Sequence, residues 1–208
     1  MIKIIIISIT ISIYMALCVQ KGFQRAGLEV EFVCQPPPGV PPPTVTWHHN
    51  GKVIHESSQY QMHSEQILGG NIKSTLKIRH VQLSDAGSYV CKAENIANKL
   101  NSNPQQLDVH AKPKITSASN PSSKTIKSGG QIKVRCIAEG APIPKIAWKF
   151  CQRNPRGDHC PEINENRKFQ VEESREVNRY QRTSELRISS ASLDNSGTYI
   201  CTATNKVL

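Results

Sequence analysis

Apolar and polar residues alternate with a period of two in several short stretches of this chain, the period of a strand with one buried face. Leu28, Val30, Phe32 and Cys34 alternate with Glu29, Glu31 and Val33, while Ile132, Val134 and Cys136 alternate with Lys133 and Arg135. Leu76-Lys-Ile78 and Leu186-Arg-Ile188 show the same pattern. Asn50-Gly51, directly after Trp47-His48-His49, predicts a two-residue hairpin turn because both positions tolerate positive φ. The long apolar run is Ile4 to Leu17, preceded by one positive charge at Lys3. It is shorter than the roughly 20 residues a spanning helix needs. It ends in the small residues Ala16 and Cys18, which predicts a signal peptide over residues 1–18, cleaved near Cys18. The remainder is then extracellular or lumenal.

The strand pattern occurs twice because the chain repeats itself. Aligned on tryptophan, Gly39-Val-Pro41-Pro-Pro43-Thr-Val45-Thr-Trp47 matches Gly140-Ala-Pro142-Ile-Pro144-Lys-Ile146-Ala-Trp148. Downstream, Leu76, Ile78, Val81, Asp85, Gly87, Tyr89 and Cys91 correspond to Leu186, Ile188, Ala191, Asn195, Gly197, Tyr199 and Cys201. The repeat predicts two domains, over residues 19–111 and 112–208. Between them, Leu107-Asp-Val109 reads as a last strand and Ala111-Lys-Pro113-Lys-Ile115 as the start of the next domain.

These residues resemble the I-type domains of the immunoglobulin superfamily, with Cys on strand B, Trp on strand C and Asp-x-Gly-x-Tyr-x-Cys leading into strand F. The resemblance implies an all-β fold of two tandem Greek-key sandwiches. It pairs Cys34 with Cys91 and Cys136 with Cys201, packs Trp47 and Trp148 on those bridges, and bonds the Tyr89 and Tyr199 hydroxyls to the corner before F. Each bridge closes a loop long enough to stabilise its domain by about 4 kcal/mol. Asn195 departs from the pattern, standing where Asp is expected. The second copy ends seven residues after Cys201, before a G strand would be complete.

Removing Cys18 with the leader leaves Cys34, Cys91, Cys136, Cys151, Cys160 and Cys201. Six cysteines admit many pairings and spacing alone selects none. With the other four assigned by resemblance, Cys151 and Cys160 remain. They bracket an insertion that replaces the tight turn of the first copy. If Ile146, Trp148 and Phe150 face the core, Cys151 points outward and bridges to Cys160 as an exposed ring. Arg156-Gly157-Asp158 lies near its tip, a tripeptide that many integrins read, and ring closure lowers the entropy cost of binding.

Charge separates the two copies within a chain whose formal net charge is +10. Residues 19–110 carry a net +1 and residues 111–208 a net +8. Lys133, Arg135, Lys168 and Arg187 are expected on the outward A-B-E-D face of the second domain, a candidate site for heparan sulfate. Nucleic acid is not an expected partner, because the chain is exported and no aromatic platform accompanies the charge. No metal site is expected: Cys-x-x-Cys pairs are absent, and His48 and His49 are adjacent on a strand and point to opposite faces. No Asn-x-Ser/Thr acceptor is found, so N-linked glycosylation is not expected, and no nucleophile with a base, phosphate loop or carboxylate pair is found, so neither cofactor nor catalysis is expected.

The expected role is extracellular recognition of a cell-surface protein, homophilic or heterophilic, as in tandem I-type adhesion and axon-guidance molecules. Two other readings turn on the sequence past Leu208. Ser184-Glu-Leu-Arg-Ile-Ser-Ser-Ala-Ser-Leu193 with Ser196-Gly-Thr-Tyr-Ile-Cys201 resembles the immunoglobulin domain of neuregulin-like and Vein-like growth factors. A receptor-kinase ectodomain shares the same tandem plan.

Overall fold

The computed structural model describes residues 14–17, 23–118, 125–152, 160–164, 169–175 and 179–207. The chain divides into two compact units, Met1–Val109 and His110–Leu208. Each is a β-sandwich.

In the first unit one sheet runs in the order β1 (Tyr14–Leu17), β3 (Val30–Gln35), β7 (Asn71–Ile78) and β6 (Tyr60–Ile67). The other runs β10 (Gln105–Leu107), β8 (Gly87–Glu94), β4 (Thr44–His49) and β5 (Lys52–Val53), with β9 (Lys99–Asn101) also pairing β8. A two-residue strand β2 (Gln24–Arg25) lies between β1 and β3 in sequence. The alternation read from the sequence is what closes the sandwich: Val30, Phe32 and Cys34 from one sheet and Trp47, Tyr89 and Cys91 from the other are all buried. Phe32 stacks on Tyr89 with ring centroids 4.5 Å apart. Asn50 and Gly51 take φ of 49° and 83°, so the predicted Asn-Gly turn joins β4 to β5.

Four residues of the expected leader, Tyr14–Leu17, run antiparallel to β3, with Tyr14 opposite Gln35 and Leu17 opposite Phe32. In the uncleaved chain this apolar run supplies hydrogen-bond partners to an otherwise open edge. The rest of the expected leader, residues 1–13 and 18, lies outside the described residues.

In the second unit β11 (Val109–Ala118), β12 (Ile132–Ala141), β15 (Gln181–Ile188) and β14 (Phe169–Arg175) form one sheet, and β13 (Lys145–Cys151) pairs with β16 (Thr198–Thr204) in the other. Cys136, Ala138, Ile146, Trp148 and Leu186 make the buried core. Among the described residues no strand pairs with the edge of β16 away from β13.

The disulfides Cys34–Cys91 and Cys136–Cys201 span the two sheets of their domains, as the resemblance implied. Each tryptophan also makes a cross-sheet hydrogen bond that was not anticipated. Trp47 Nε1 donates to Ser74 Oγ at 3.1 Å, and Trp148 Nε1 donates to Ser184 Oγ at 2.9 Å. Both serines are buried and both stand two residues before the repeated leucine, Leu76 or Leu186, so the repeat did carry the signal.

The corner before strand F is built alike in both copies despite the change from Asp to Asn. Tyr89 Oη donates to the Asp85 carbonyl at 2.8 Å and Tyr199 Oη to the Asn195 carbonyl at 2.9 Å. Burial pushes the Tyr199 phenol up to about 12. The side chains differ. Asp85 is buried, and its carboxylate accepts from Tyr60 Oη (2.5 Å), Gln59 Nε2 (2.8 Å) and the Gln82 amide (2.7 Å). Among the described residues Asn195 Oδ1 accepts locally, from the Ser192 amide and hydroxyl, both at 3.0 Å. The Asn thus keeps the corner, while the tie that Asp85 makes to β6 through Tyr60 has no counterpart at Phe169, which stands at the matching register position without a hydroxyl.

The serine partners generate a stability prediction. Ser184→Ala leaves the buried Trp148 N–H without an acceptor and is expected to cost about 1–3 kcal/mol. Ser74→Ala is expected to cost a similar amount in the first domain. Denaturant unfolding followed by tryptophan emission checks both, since each domain holds one of the two tryptophans.

Candidate functional site

The basic face of the second domain forms on three strands. Cross-strand register sets Lys133 opposite Arg187, which faces Gln170, and sets Arg135 opposite Glu185, which faces Glu172. Lys133, Arg135 and Arg187 therefore share one outward surface, as expected. Lys168 lies outside the described residues.

Register also brings two acids into that surface. Glu185 Oε1 accepts from Arg187 Nε at 2.8 Å, and the same carboxylate lies 3.5 Å from Arg135 and 4.0 Å from Lys133. Arg187 reaches Glu172 at 2.8 Å as well. The hydrogen bond from Arg187 foremost, with the nearby positive charges, holds the Glu185 carboxyl below the ordinary carboxylate range. The expected row of free cations is instead a mixed-sign network centred on Glu185. Glu185 and Arg187, two apart on β15, share a face by spacing alone, while the contacts to Lys133, Arg135 and Glu172 run across strands.

Other cations of this domain lie elsewhere. Lys145 and Lys149 alternate with the buried Ile146 and Trp148 and so stand on the outer face of β13. Neither makes an ion pair among the described residues. Across from them on β16 are Thr204 and Ile200, and Glu162 bridges to the Lys149 backbone from the other side.

The insertion after Trp148 is closed by Cys151–Cys160, whose Cα atoms are 4.2 Å apart. Its stem is tied to β13: the Phe150 amide donates to the Pro161 carbonyl at 3.1 Å and the Ile163 amide to the Trp148 carbonyl at 2.8 Å. One expectation fails. Cys151 does not point out into solvent; it is only 9% exposed. The returning chain at Cys160 covers the position that strand alternation alone would have left open. Arg156, Gly157 and Asp158 lie outside the described residues.

In the first domain His48 and His49 face opposite sides of β4. The His49 ring stacks on Tyr89 at 4.6 Å, whereas His48 is buried beside Thr46. Burial first, and the Lys92 charge second, lower the His48 pKa and favour its neutral form. The two rings do not converge on a common point.

Comparison with known proteins places this geometry. The immunoglobulin I-set domain family matches residues 18–107, and a second immunoglobulin domain family matches residues 112–205. Neural cell adhesion molecule 1 of Bos taurus is 33% identical over 182 residues, which is 87% of this chain and 20% of that protein. The chain thus spans about a fifth of the length of such relatives. Among solved structures, a titin A168–A169 tandem aligns over 92% of each chain at 23% identity with a TM-score of 0.58, a likeness of fold. The N-terminal eight immunoglobulin domains of Down Syndrome Cell Adhesion Molecule align over 93% of this chain and 23% of that one, at 25% identity and a TM-score of 0.51. With both halves matched and both sandwiches pinned by Cys, Trp and Cys, the chain belongs to the immunoglobulin superfamily, as two immunoglobulin domains in tandem.

Proposed function

We propose that this chain is an exported, non-catalytic recognition segment that mediates cell adhesion through protein contacts made by its immunoglobulin domains. The observation that carries the reading is the cysteine inventory. All six cysteines after Cys18 are in disulfides, with none left over, a state that belongs to an oxidising compartment. Two relatives that match both domains, Neural cell adhesion molecule 1 and Down Syndrome Cell Adhesion Molecule, are named as cell adhesion molecules, and the leader expected over residues 1–18 would supply the route out of the cell. Partners are then extracellular or cell-surface proteins. A growth factor would add a six-cysteine EGF module past Leu208 and a receptor kinase a membrane span with kinase motifs, so the full-length transcript separates these plans from an adhesion protein.

A second reading is favoured at one place. The Cys151–Cys160 bridge and its tied stem make the segment that carries Arg156-Gly157-Asp158 a closed ring, a form suited to engaging an integrin. Heparan sulfate is less favoured on the A-B-E-D face, because Glu185 and Glu172 already hold three of the four expected cations.

Three outcomes check these readings. Expressed in cultured cells, the chain is expected in the medium with its six cysteines blocked to alkylation until reduction; cytosolic retention with free thiols overturns the adhesion reading. Asp158→Glu is expected to reduce attachment of integrin-bearing cells to the immobilised protein, and unchanged attachment removes the integrin reading. Glu185→Gln is expected to elute from a heparin column at higher salt than the parent chain, because three cations lose their shared carboxylate.

A further inference from the structure

Among the described residues the one buried histidine is His48, only 8% exposed. Trp47 beside it points between the sheets, so His48 stands on the outer face of its sheet. Its cross-strand neighbours there are Val90 of β8 on one side and Val53 of β5 on the other. β5 is the edge strand in the order β10, β8, β4, β5, and it is two residues long. It joins β4 through the Asn50-Gly51 turn and is fastened beyond Val53 by the Ile54 amide, which donates to the Trp47 carbonyl at 2.8 Å. A titratable ring is thus covered, on its outer side, by a short strand at the margin of the domain.

The surroundings suit a neutral ring. Nε2 lies 3.3 Å from Thr46 Oγ1, a hydroxyl that can donate or accept, while Nδ1 is buried and makes no hydrogen bond among the described residues. An imidazolium donates from both nitrogens and needs an acceptor at each. The charged groups on this face supply none. Lys92 of β8 stands one row along, opposite Thr46, and Glu94 a further row along is paired with Lys99 at 2.6 Å. On β5, Lys52 lies opposite His49, at the alternate position. His49 differs, with the Ala86 carbonyl 3.3 Å from its Nε2. Burial first and the Lys92 charge second lower the His48 pKa, with the Gly51 backbone acting the other way to a smaller extent.

We propose that β5 is an acid-operated flap: protonation of His48 releases this strand from the sheet edge and opens the outer face of the first domain. Swinging β5 out on the Asn50-Gly51 turn lets water reach Nδ1, the smallest rearrangement that solvates the new charge. Val53 is already 49% exposed, so its release uncovers little further apolar surface. Ile54, 9% exposed, resists the motion and keeps the flap shut while the ring is neutral. Trp47, Tyr89 and the Cys34–Cys91 bridge lie on the inner side and stay packed, so the opening is local. Its direction with pH is fixed. Above the ordinary imidazole value of 6.5 the ring is neutral whether the flap is open or shut. Below it, the open form takes up a proton more readily than the shut form, and closure weakens until the shut form is protonated as well. That range separates the cell surface from acidified endocytic compartments, where a protein bound across β5 is shed. The flap itself is independent of the adhesion reading, which concerns what it releases.

Amide hydrogen exchange of the exported chain at about pH 7.5 and about pH 5, corrected for the intrinsic rate, tests the proposal. Protection of the Ile54 amide is expected to fall about threefold or more at the lower pH. The Cys91 amide, bonded to Ser102 Oγ in the core, is expected to keep its protection. His48→Gln and His48→Phe each place a side chain there that cannot take up a proton, and either one is expected to abolish the change. Lys92→Gln removes the like charge and is expected to shrink it, while His63→Gln, at an exposed position, leaves it intact. Ring titration by NMR in the parent chain gives a measure that needs no variant: His48 is expected to protonate at lower pH than the exposed His55 and His63. The proposal is overturned by unchanged Ile54 protection in the parent, by an acid response that persists in a folded His48 variant, or by a His48 ring that titrates with the exposed ones. It is also overturned if the Cys91 amide loses protection equally, which assigns the response to unfolding of the whole domain. None of these outcomes bears on the adhesion reading, whose failure shows as free thiols in a chain kept in the cytosol.

Discussion

In each domain a tryptophan sits between the sheets with its indole N–H bonded to a serine of the opposite sheet, beside a disulfide that joins the same two sheets. An indole N–H taken out of water must find an acceptor, and the acceptor here lies across the sandwich. The bond and the disulfide together fix the separation and the relative slide of the sheets. Once those are set, strand register is set too, and with it the positions at which loops leave each end. The remaining core, Phe32 on Tyr89 in the first domain and Ile146 with Leu186 in the second, fills a space whose dimensions the cross-sheet links have determined.

Because these links lie in the middle of strands, the ends of the two domains have been free to diverge. The Asn50-Gly51 turn of the first copy is a disulfide-closed insertion in the second. At the E–F corner the backbone geometry survives the replacement of Asp85 by Asn195, since the tyrosine hydroxyl needs only a carbonyl. What changes is reach. The Asp85 carboxylate binds Tyr60 and Gln59 at the start of β6, and burial together with that negative charge raises the Tyr60 pKa well above the ordinary phenol range. Among the described residues the Asn195 side chain closes on Ser192, a local contact.

What the sequence made legible was periodic or repeated. The strand alternation, the Cys, Trp and Tyr positions, the Asn-Gly turn and the outward placement of Lys133, Arg135 and Arg187 all come from spacing along one segment. The missing parts depend on two segments meeting. Glu185 became the partner of Lys133 and Arg135 only because β15 pairs with β12 in that register, whereas Arg187 lies two residues along β15 itself. Cys151 is buried and bonded to Cys160, a residue that returns to it from across the insertion. The pairing of Tyr14–Leu17 with β3 needed an open edge that alternation does not reveal. Ser74 and Ser184 are the exception, legible in the repeat but passed over because serine ordinarily reads as solvated.

The division of charge and apolar surface bears on where such a scaffold can gain binding energy. Its cores are committed to holding each domain together. On the outer face of β12, β14 and β15 the cations are already paired with carboxylates, and a partner that displaces those pairs recovers little beyond what it breaks. Burying an exposed aliphatic side chain has no such offset, at about 25 cal/mol per Å² of apolar area removed from water. Net gain is therefore concentrated where aliphatic side chains stand in water, as Val40, Leu68 and Ile96 do on connections between strands of the first domain.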